Sequence, residues 1–149
     1  MRIDYLLERA AVARRVDAEP RRRRRSDPLD VIVAGGGPAA IEAALALRAL
    51  APDAVHVRLL APEPSYVYRP LSVLEPFAAG HAREYSLDRL GAEGIDIVRD
   101  SLAEVDTSAR TVKTGSGGLL GYEALIVATG ARAQRALPHC ITFTGSADA

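Results

Sequence analysis

The sequence predicts an α/β fold, in which a parallel sheet built on a βαβ unit is followed by a small antiparallel β-meander. Two runs of strand-forming residues, LDVIVA (Leu29–Ala34) and VHVRLL (Val55–Leu60), flank a helix-forming segment, Pro38–Leu50. The strand–helix–strand order favours two parallel strands, and the unbroken apolar run of the first is typical of a strand covered on both faces. Three short β-prone segments separated by polar or glycine turns indicate the meander: 103–106, Thr111–Thr114 and Leu119–Gly121.

Composition and charge exclude several classes of protein. The chain of 149 residues is long enough for one domain, and its formal net charge is zero, so bulk charge predicts no specific nucleic-acid partner and no membrane partner. No apolar run has the roughly 18–20 residues of a membrane helix. A single cysteine, Cys140, excludes an intrachain disulfide and a cysteine metal cluster, which fits a cytoplasmic location.

The charge is unevenly distributed along the chain. Residues 1–28 carry nine arginines against five acids, and residues 29–149 carry ten basic groups against fourteen acids. We predict that residues 1–28 form an N-terminal helix followed by a flexible Arg-rich arm, which includes the arginine run 21–25. The domain then begins near Leu29.

The rest of the chain predicts further elements in order. Residues 61–70 are expected to be a Pro-rich loop, and 71–77 and 87–92 to be helical, with breaks at Gly80, Gly91 and Gly94. Ile95–Val98 is expected to be a strand, and 125–128 a fully buried strand that ends at Thr129 and Gly130.

A glycine turn between the first strand and the helix carries the main chemical signal. Its pattern is Gly35-x-Gly37-x-x-Ala40. Gly35 permits a tight turn, Gly37 lets the backbone approach a pyrophosphate, and Ala40 keeps helix and strand close together. The helix N-terminus then offers free N–H groups and a positive dipole end to phosphates. A glycine pattern of this kind between a strand and a helix predicts a Rossmann-like dinucleotide-binding unit.

Three stretches together resemble one family. They are VIVAGGGPAAIEAA, APEPSYVYRPLSVLEPFAAG and YEALIVATGARAQRALP, in that order. The sequence resembles the two-dinucleotide-binding-domain flavoproteins, also called the pyridine nucleotide–disulfide oxidoreductase superfamily. Within it, the chain is most similar to the branch of sulfide:quinone and type II NADH:quinone oxidoreductases. The resemblance covers about 29–149, which would be the N-terminal portion of an FAD/NAD(P)-binding domain.

The resemblance implies FAD as the cofactor and NAD(P)H as co-substrate of the complete protein. The residues implied at the FAD pyrophosphate are Gly35, Gly37, Pro38 and Ala39, with Glu42 steadying the turn from behind. Arg69 and Pro70 would lie beside the flavin end, and the backbone of Leu102 would contact adenine. Ala128, Thr129 and Gly130 would close over the cofactor.

The position at the end of the second strand departs from the family pattern. Family members commonly carry Glu or Asp where this chain has Ala61, and that acid accepts hydrogen bonds from the adenosine ribose. Glu63, two residues later, is the nearest substitute, and backbone groups or water are the alternatives.

No residue is predicted to be a catalytic acid, base or nucleophile, and no metal site is predicted. His81 and His139 lie in loops with no second ligand at metal spacing, and His56 is predicted to be a half-exposed strand residue. Cys140 lacks a redox partner, which disfavours the disulfide-reductase branch.

The resemblance leaves the domain incomplete, because no second glycine-rich unit and no later Gly-Asp segment is present. The chain is therefore either a fragment or a naturally short relative. We expect the FAD-binding segment of a flavin-dependent oxidoreductase, whose partners are a small-molecule dinucleotide and the missing C-terminal half or a partner subunit. The alternatives are a non-catalytic or partner-dependent dinucleotide-binding module, or an NAD(P)-binding Rossmann unit.

Overall fold

A computed structural model describes residues 27–68, 70, 74, 75, 77–131 and 139. The predicted N-terminal helix and the arginine run 21–25 lie outside the described residues. So do Arg69 and Cys140.

The elements whose bounds lie within the described residues are one α-helix, one 3₁₀ helix and nine strands. In chain order they are β1 (Leu29–Ala34), α1 (Pro38–Leu50), β2 (Val55–Leu60), β3 (Ser65–Tyr68), β4 (Arg83–Ser86), the 3₁₀ helix (Leu87–Glu93), β5 (Ile95–Val98), β6 (Leu102–Asp106), β7 (Thr111–Thr114), β8 (Leu119–Gly121) and β9 (Ala124–Val127).

The main sheet has four parallel strands in the order β5-β2-β1-β9, which confirms the predicted βαβ unit. Val33 of β1 is aligned with Leu59 of β2 on one side and with Ile126 of β9 on the other. The first strand is thus interior, and its last four residues are buried. The interior position of β1 agrees with its sequence, an apolar run without the alternating polar residues of a strand that has one face in solvent.

The sheet is covered differently on its two faces. On one face, Val31, Val33, Val57 and Leu59 pack in one cluster with Ala40 and Ala44 of α1. On the other face, Ile32, Ala34 and Leu60 pack with Val112 and Leu120 of the meander. The molecule therefore has three layers, helix, parallel sheet and meander, with both cores built by alternate residues of the same strands.

Small side chains let α1 lie close to the sheet at two positions. Ala40 and Ala44 have no solvent exposure, whereas Ala39 and Ala46 face solvent. Only the alanines on the sheet-facing side of the helix therefore contribute to this packing. Beyond the helix, Arg48 donates from Nε to the Glu93 carbonyl at 3.2 Å and ties α1 to the end of the 3₁₀ helix.

Strand β9 is less buried than predicted. Its four residues are only partly buried or exposed, and Val127 is 58% exposed. Its apolar sequence predicted cover on both sides. However, among the described residues β9 has a neighbour only at β1, so it forms an edge of the sheet.

The prediction of a continuous loop over residues 61–70 is wrong, because β3 begins at Ser65. It pairs with β4 in antiparallel register, from Ser65↔Ser86 to Tyr68↔Arg83. The rings of Tyr66 and Tyr85 stack with centroids 6.4 Å apart. Nearby prolines obscured this strand, and its partner lies too far along the chain to be recognised as a hairpin.

The segment predicted to be helical at 87–92 is a 3₁₀ helix, Leu87–Glu93. Its start is capped by Ser86, whose Oγ accepts from the Asp88 N–H at 3.3 Å, and it ends at Gly94 with φ 74°. Gly91 lies inside the helix and is not the predicted break. In the segment predicted to be helical at 71–77, positions 74, 75 and 77 are described, and they have 3₁₀ conformation.

The meander forms as predicted, with the antiparallel order β6-β7-β8. The turn between β6 and β7 is closed by Asp106, whose Oδ1 accepts from the N–H groups of Ser108 and Ala109 at 2.9 and 2.8 Å. A carboxylate that bonds to backbone two and three residues ahead is a turn former.

Candidate functional site

The carboxyl ends of the four parallel strands meet at one edge of the sheet. β1 leads into the glycine turn (residues 35–37), β2 into the β2–β3 loop (residues 61–64), β5 into Arg99, and β9 into Ala128. Ligands of open α/β sheets bind at this edge. The structure therefore brings together, on one side of the molecule, most of the described residues that the sequence singled out.

Gly35 is required by the close approach of a distant segment. Its φ is +138°, and a Cβ at this position would lie 2.1 Å from the Ala128 carbonyl oxygen. The Ala128 N–H donates to the Ala34 carbonyl at 2.8 Å, so β9 holds that carbonyl against the turn. The first and third family-like stretches are thus in direct contact.

Gly36 and Gly37 differ in their surroundings. A Cβ on Gly36 would lie 3.3 Å from the Ala61 methyl and 3.5 Å from Leu87, whereas one on Gly37 would meet nothing within 4 Å. Gly37 therefore borders open space with an ordinary φ of −88°. A bare backbone beside open space fits the close approach of a pyrophosphate.

The start of α1 supplies donors toward the same space. Pro38 occupies the first turn, no side chain caps the helix, and that turn holds no acid. Ile41 is the first residue whose N–H reaches back to the Gly37 carbonyl, at 3.1 Å. The N–H groups of the turn before it have no intrahelical acceptor, which is the arrangement that binds anions.

The side chain at the strand-end position is withdrawn from solvent. Ala61 is fully buried in the core cluster beneath the glycine turn, and its N–H donates to the Val98 carbonyl at 3.0 Å. Glu63 is exposed, and no bond to its carboxylate is found within the described residues. Of residues 61–64, Glu63 alone presents a carboxylate to solvent at this edge.

Arg99 joins the β2–β3 loop to the 3₁₀ helix. Its Nη1 donates to the Glu63 carbonyl at 2.6 Å, and its Nη2 donates to the Pro64 carbonyl at 3.4 Å and forms an ion pair with Asp88. The Pro64 carbonyl also accepts from the Leu87 N–H at 3.0 Å. Sequence reasoning missed Arg99, because an arginine after a strand carries no signal of its own.

Asp100 fixes the link between β5 and β6. Its carboxylate accepts from the Ser101 N–H at 2.7 Å, the Ser116 N–H at 3.2 Å and the Ser116 hydroxyl. Burial opposes ionisation of this carboxyl, but the hydrogen bonds from Ser116, Thr114 and the backbone outweigh it and lower its pKa below the ordinary 3.8. The link precedes Leu102, which is partly buried against the meander-side core.

The remaining predicted residues are placed as follows. Glu42 is exposed on α1, and no bond from it to the glycine turn is found in the described part of the chain. Pro70, Thr129 and Gly130 are also exposed, and Gly130 has a φ of +73°. The cofactor contacts assigned to these residues and to Leu102 stay predictions.

His56 lies at the opposite end of the sheet. Its Nδ1 is 2.7 Å from Asp30 Oδ1 in β1, and its Nε2 is 2.9 Å from Asp96 Oδ2 in β5. The hydrogen bond with Asp30 raises the pKa of His56 above 6.5, against the effect of partial burial, and Asp96 adds to the rise. No group of three or more metal-binding side chains is found in the part of the chain that the structure describes.

The fold and the glycine turn at the carboxyl edge of the sheet define a Rossmann-like α/β unit, the class of fold that binds dinucleotides. The pattern of the pyridine nucleotide-disulphide oxidoreductase family matches residues 12–146. The chain therefore belongs to the pyridine nucleotide-disulphide oxidoreductase family.

Solved structures agree with this assignment. The sulfide:quinone oxidoreductase of Aquifex aeolicus is similar over 68% of this chain, with 28% identity and a TM-score of 0.63. A ferredoxin reductase of Rhodopseudomonas palustris is similar over 73%, with 26% identity and a TM-score of 0.58. The NADH:rubredoxin oxidoreductase of Clostridium acetobutylicum, covering 75% at 22% identity and a TM-score of 0.56, shares the fold.

The match spans only part of these proteins. It covers 24% of the Aquifex chain, 28% of the Rhodopseudomonas chain and 30% of the Clostridium chain. No helix among the described residues is both long and apolar enough to cross a membrane.

Proposed function

We propose that this chain is the N-terminal FAD-binding segment of a flavin-dependent oxidoreductase of the NAD(P)H or sulfide/quinone type. The observation that carries the proposal is the open space beside Gly37, at the uncapped start of α1 and at the carboxyl edge of the sheet. Similarity to an oxidoreductase that acts on sulfide and quinone and to a ferredoxin reductase supports the same reaction class.

The described residues fit the ADP half of FAD. Gly37 and the first turn of α1, including Pro38 and Ala39, would face the pyrophosphate, and Glu63 would face the adenosine ribose. The absence of a side-chain cap matters here, because a capping carboxylate would compete with the phosphates for the same N–H groups.

Other residues would complete the site. Gly35 and Ala128 would keep the turn closed from behind, and the backbone at Leu102 would border the adenine. Arg69, Pro70, Thr129 and Gly130 would lie toward the flavin. We assign no catalytic acid or base to this chain.

When bound, the flavin supplies the redox chemistry, and the protein supplies binding, orientation and electrostatics. In the complete protein, NAD(P)H would be the co-substrate. The second nucleotide site would come from a longer chain or a partner subunit, and we propose a cytoplasmic setting.

A glycine substitution tests the proposal. Gly37→Ala puts a methyl group into the space assigned to the pyrophosphate, where overpacking costs about 1–3 kcal/mol, so FAD affinity should fall about tenfold or more. Flavin fluorescence or calorimetric titration of the purified chain measures this affinity. The fold should remain intact, since the added Cβ meets no protein atom within 4 Å.

Gly121→Ala is the matched control. A Cβ on Gly121 also meets nothing within 4 Å, but this glycine lies on the meander, away from the glycine turn. Absence of FAD binding by the unsubstituted chain, or equal loss in both variants, would contradict the proposal. Tighter binding of NADH than of FAD would instead favour the NAD(P)-binding alternative.

A further inference from the structure

The β2–β3 loop is held in one conformation by its neighbours. Ala61 bonds through its N–H to Val98, Glu63 through its carbonyl to Arg99, and Pro64 through its carbonyl to Leu87 and Arg99. Three of the loop's four residues are thus fixed by backbone contacts from β5, Arg99 and the start of the 3₁₀ helix.

The loop's own sequence adds to this restraint. Pro62 and Pro64 have fixed φ angles, and each proline also confines the residue before it to extended conformations. Glu63 lies between the two prolines. Its backbone therefore has little freedom, although its side chain is exposed to solvent.

Arg99 is suited to hold this loop because of its forked shape. Its guanidinium addresses two successive carbonyls with two different nitrogens, while Nη2 also pairs with Asp88. Arginine presents several donors in one rigid plane, which lysine cannot reproduce. Asp88 in turn orients the guanidinium from the 3₁₀ helix, and its own N–H is bonded to Ser86.

We propose that Arg99, oriented by Asp88, is a positioning residue that holds Glu63 ready to accept a hydrogen bond from the 2′-hydroxyl of the adenosine ribose. This inference rests on the proposed function, since it concerns the ADP half of the same cofactor. Glu63 then takes over the task of the acid that is absent at Ala61, and Arg99 determines specificity for ribose without touching the ligand.

ADP and 2′-deoxy-ADP are the probes, because they differ only in the hydroxyl concerned. Calorimetric titration of the full chain should show a preference for ADP of about tenfold, the range of a hydrogen bond to a charged group. Glu63→Gln should reduce the ratio of the two affinities, and Arg99→Met should reduce it similarly with Glu63 still present. Arg99→Lys should restore it only in part, since lysine lacks the fork.

Arg89→Met is the matched control. Arg89 is exposed on the same 3₁₀ helix as Asp88, and no contact of its side chain is found within the described residues. The Arg89→Met substitution removes one positive charge, as Arg99→Met does, and should leave the ratio of ADP to 2′-deoxy-ADP affinity unchanged. A general loss of stability would weaken both probes together, whereas the affinity ratio reports the geometry of Glu63 alone.

The outcomes separate the two proposals. If the chain binds FAD and ADP but does not distinguish ADP from 2′-deoxy-ADP, Glu63 recognition is overturned while the proposed function stands. If Glu63→Gln removes the preference and Arg99→Met keeps it, the positioning role of Arg99 is overturned. If neither FAD nor ADP binds, the proposed function itself fails.

Discussion

Gly35 shows how strictly a single residue can be determined by a contact made far away in the chain. The Ala128 carbonyl occupies the place where any other residue would carry its Cβ, and the φ of +138° is itself unfavourable for a side chain. The neighbouring Gly37 has neither restriction. Gly35 is thus required by the structure of the chain itself, whereas for Gly37 we propose the approach of the pyrophosphate as the reason.

Gly35→Ala should therefore destabilise the protein without any ligand present. A strained φ and a clash with a backbone oxygen that has little room to move should lower the free energy of unfolding by at least about 2 kcal/mol. Urea denaturation of the ligand-free chain measures the effect. Gly37→Ala serves as the comparison and should unfold at nearly the wild-type urea concentration; equal stability of the two variants would refute this explanation.

The substitution of the strand-end acid also has its explanation at this scale. Ala61 lies in the core cluster under the glycine turn, where its methyl group would be 3.3 Å from a Cβ on Gly36. A carboxylate in such surroundings would have to be paired with a ligand or remain buried without a partner, which is costly. The methyl group of Ala61 avoids that cost in the ligand-free chain. The nearest acid in the β2–β3 loop is then Glu63, which is exposed to solvent.

At the scale of elements, the parallel sheet is joined at its amino end by a charged bridge across three strands. His56 in β2 lies between Asp30 in β1 and Asp96 in β5. Two more charged residues lie beside these aspartates. Arg58 of β2 is aligned with Asp96, and Glu123 accepts from the Asp30 N–H at 3.0 Å. Both aspartates favour the protonated imidazole, so the bridge couples sheet stability to pH.

The sign follows from the raised pKa of His56. The folded chain binds a proton more tightly than the unfolded chain, so the stabilisation is complete below pH 6.5 and is lost as pH rises through the folded pKa. Wild type should exceed His56→Gln in unfolding free energy by more at pH 5.5 than at pH 8.5. Denaturant unfolding at the two pH values measures the difference, and Asp96→Asn should reduce its pH dependence. A larger stability difference at pH 8.5 than at pH 5.5 would contradict a stabilising role of protonated His56.

Elements with strong periodic or apolar patterns were predictable, and those that depend on distant partners were not. β1, α1, β2 and the meander follow from runs, turns and a proline at the helix start. The pairing of β3 with β4 was missed because prolines lie near β3 and its partner is distant along the chain. The edge position of β9 was missed because its sequence resembles that of an interior strand. At the site, the glycine turn was predictable from sequence, whereas the Arg99–Asp88 contact joins residues that no motif connects.

At the scale of the whole molecule, stability is expected to be uneven. The interior strands β1 and β2 are covered by α1 on one face and by the meander on the other, whereas β3 and β4 are largely exposed. Regions with little buried apolar surface open with lower free energies than the core.

Hydrogen exchange followed by mass spectrometry should reveal this gradient. Amides of β1 and β2 should exchange slowest, and those of the β3–β4 hairpin should exchange first. Binding of FAD should slow exchange in the glycine turn and the β2–β3 loop, since both would contact the ligand. Equal protection of the hairpin and β1 in the ligand-free chain would contradict the predicted gradient.

The central place of β1, described above as a matter of sheet order, also has a consequence for the sequence of events during synthesis. β1 is the first strand of the described chain, yet β9, which completes its second side, is held to it by contacts such as that between Asp30 and Glu123, 93 residues apart. Chains emerge from the ribosome N-terminus first, and closing a long loop carries an entropic cost. The βαβ unit can therefore assemble early. The Ala128 carbonyl can pack against the glycine turn only after β9 has been synthesised. We therefore predict that FAD, the proposed cofactor, binds to this segment only after β9 has been synthesised and inserted.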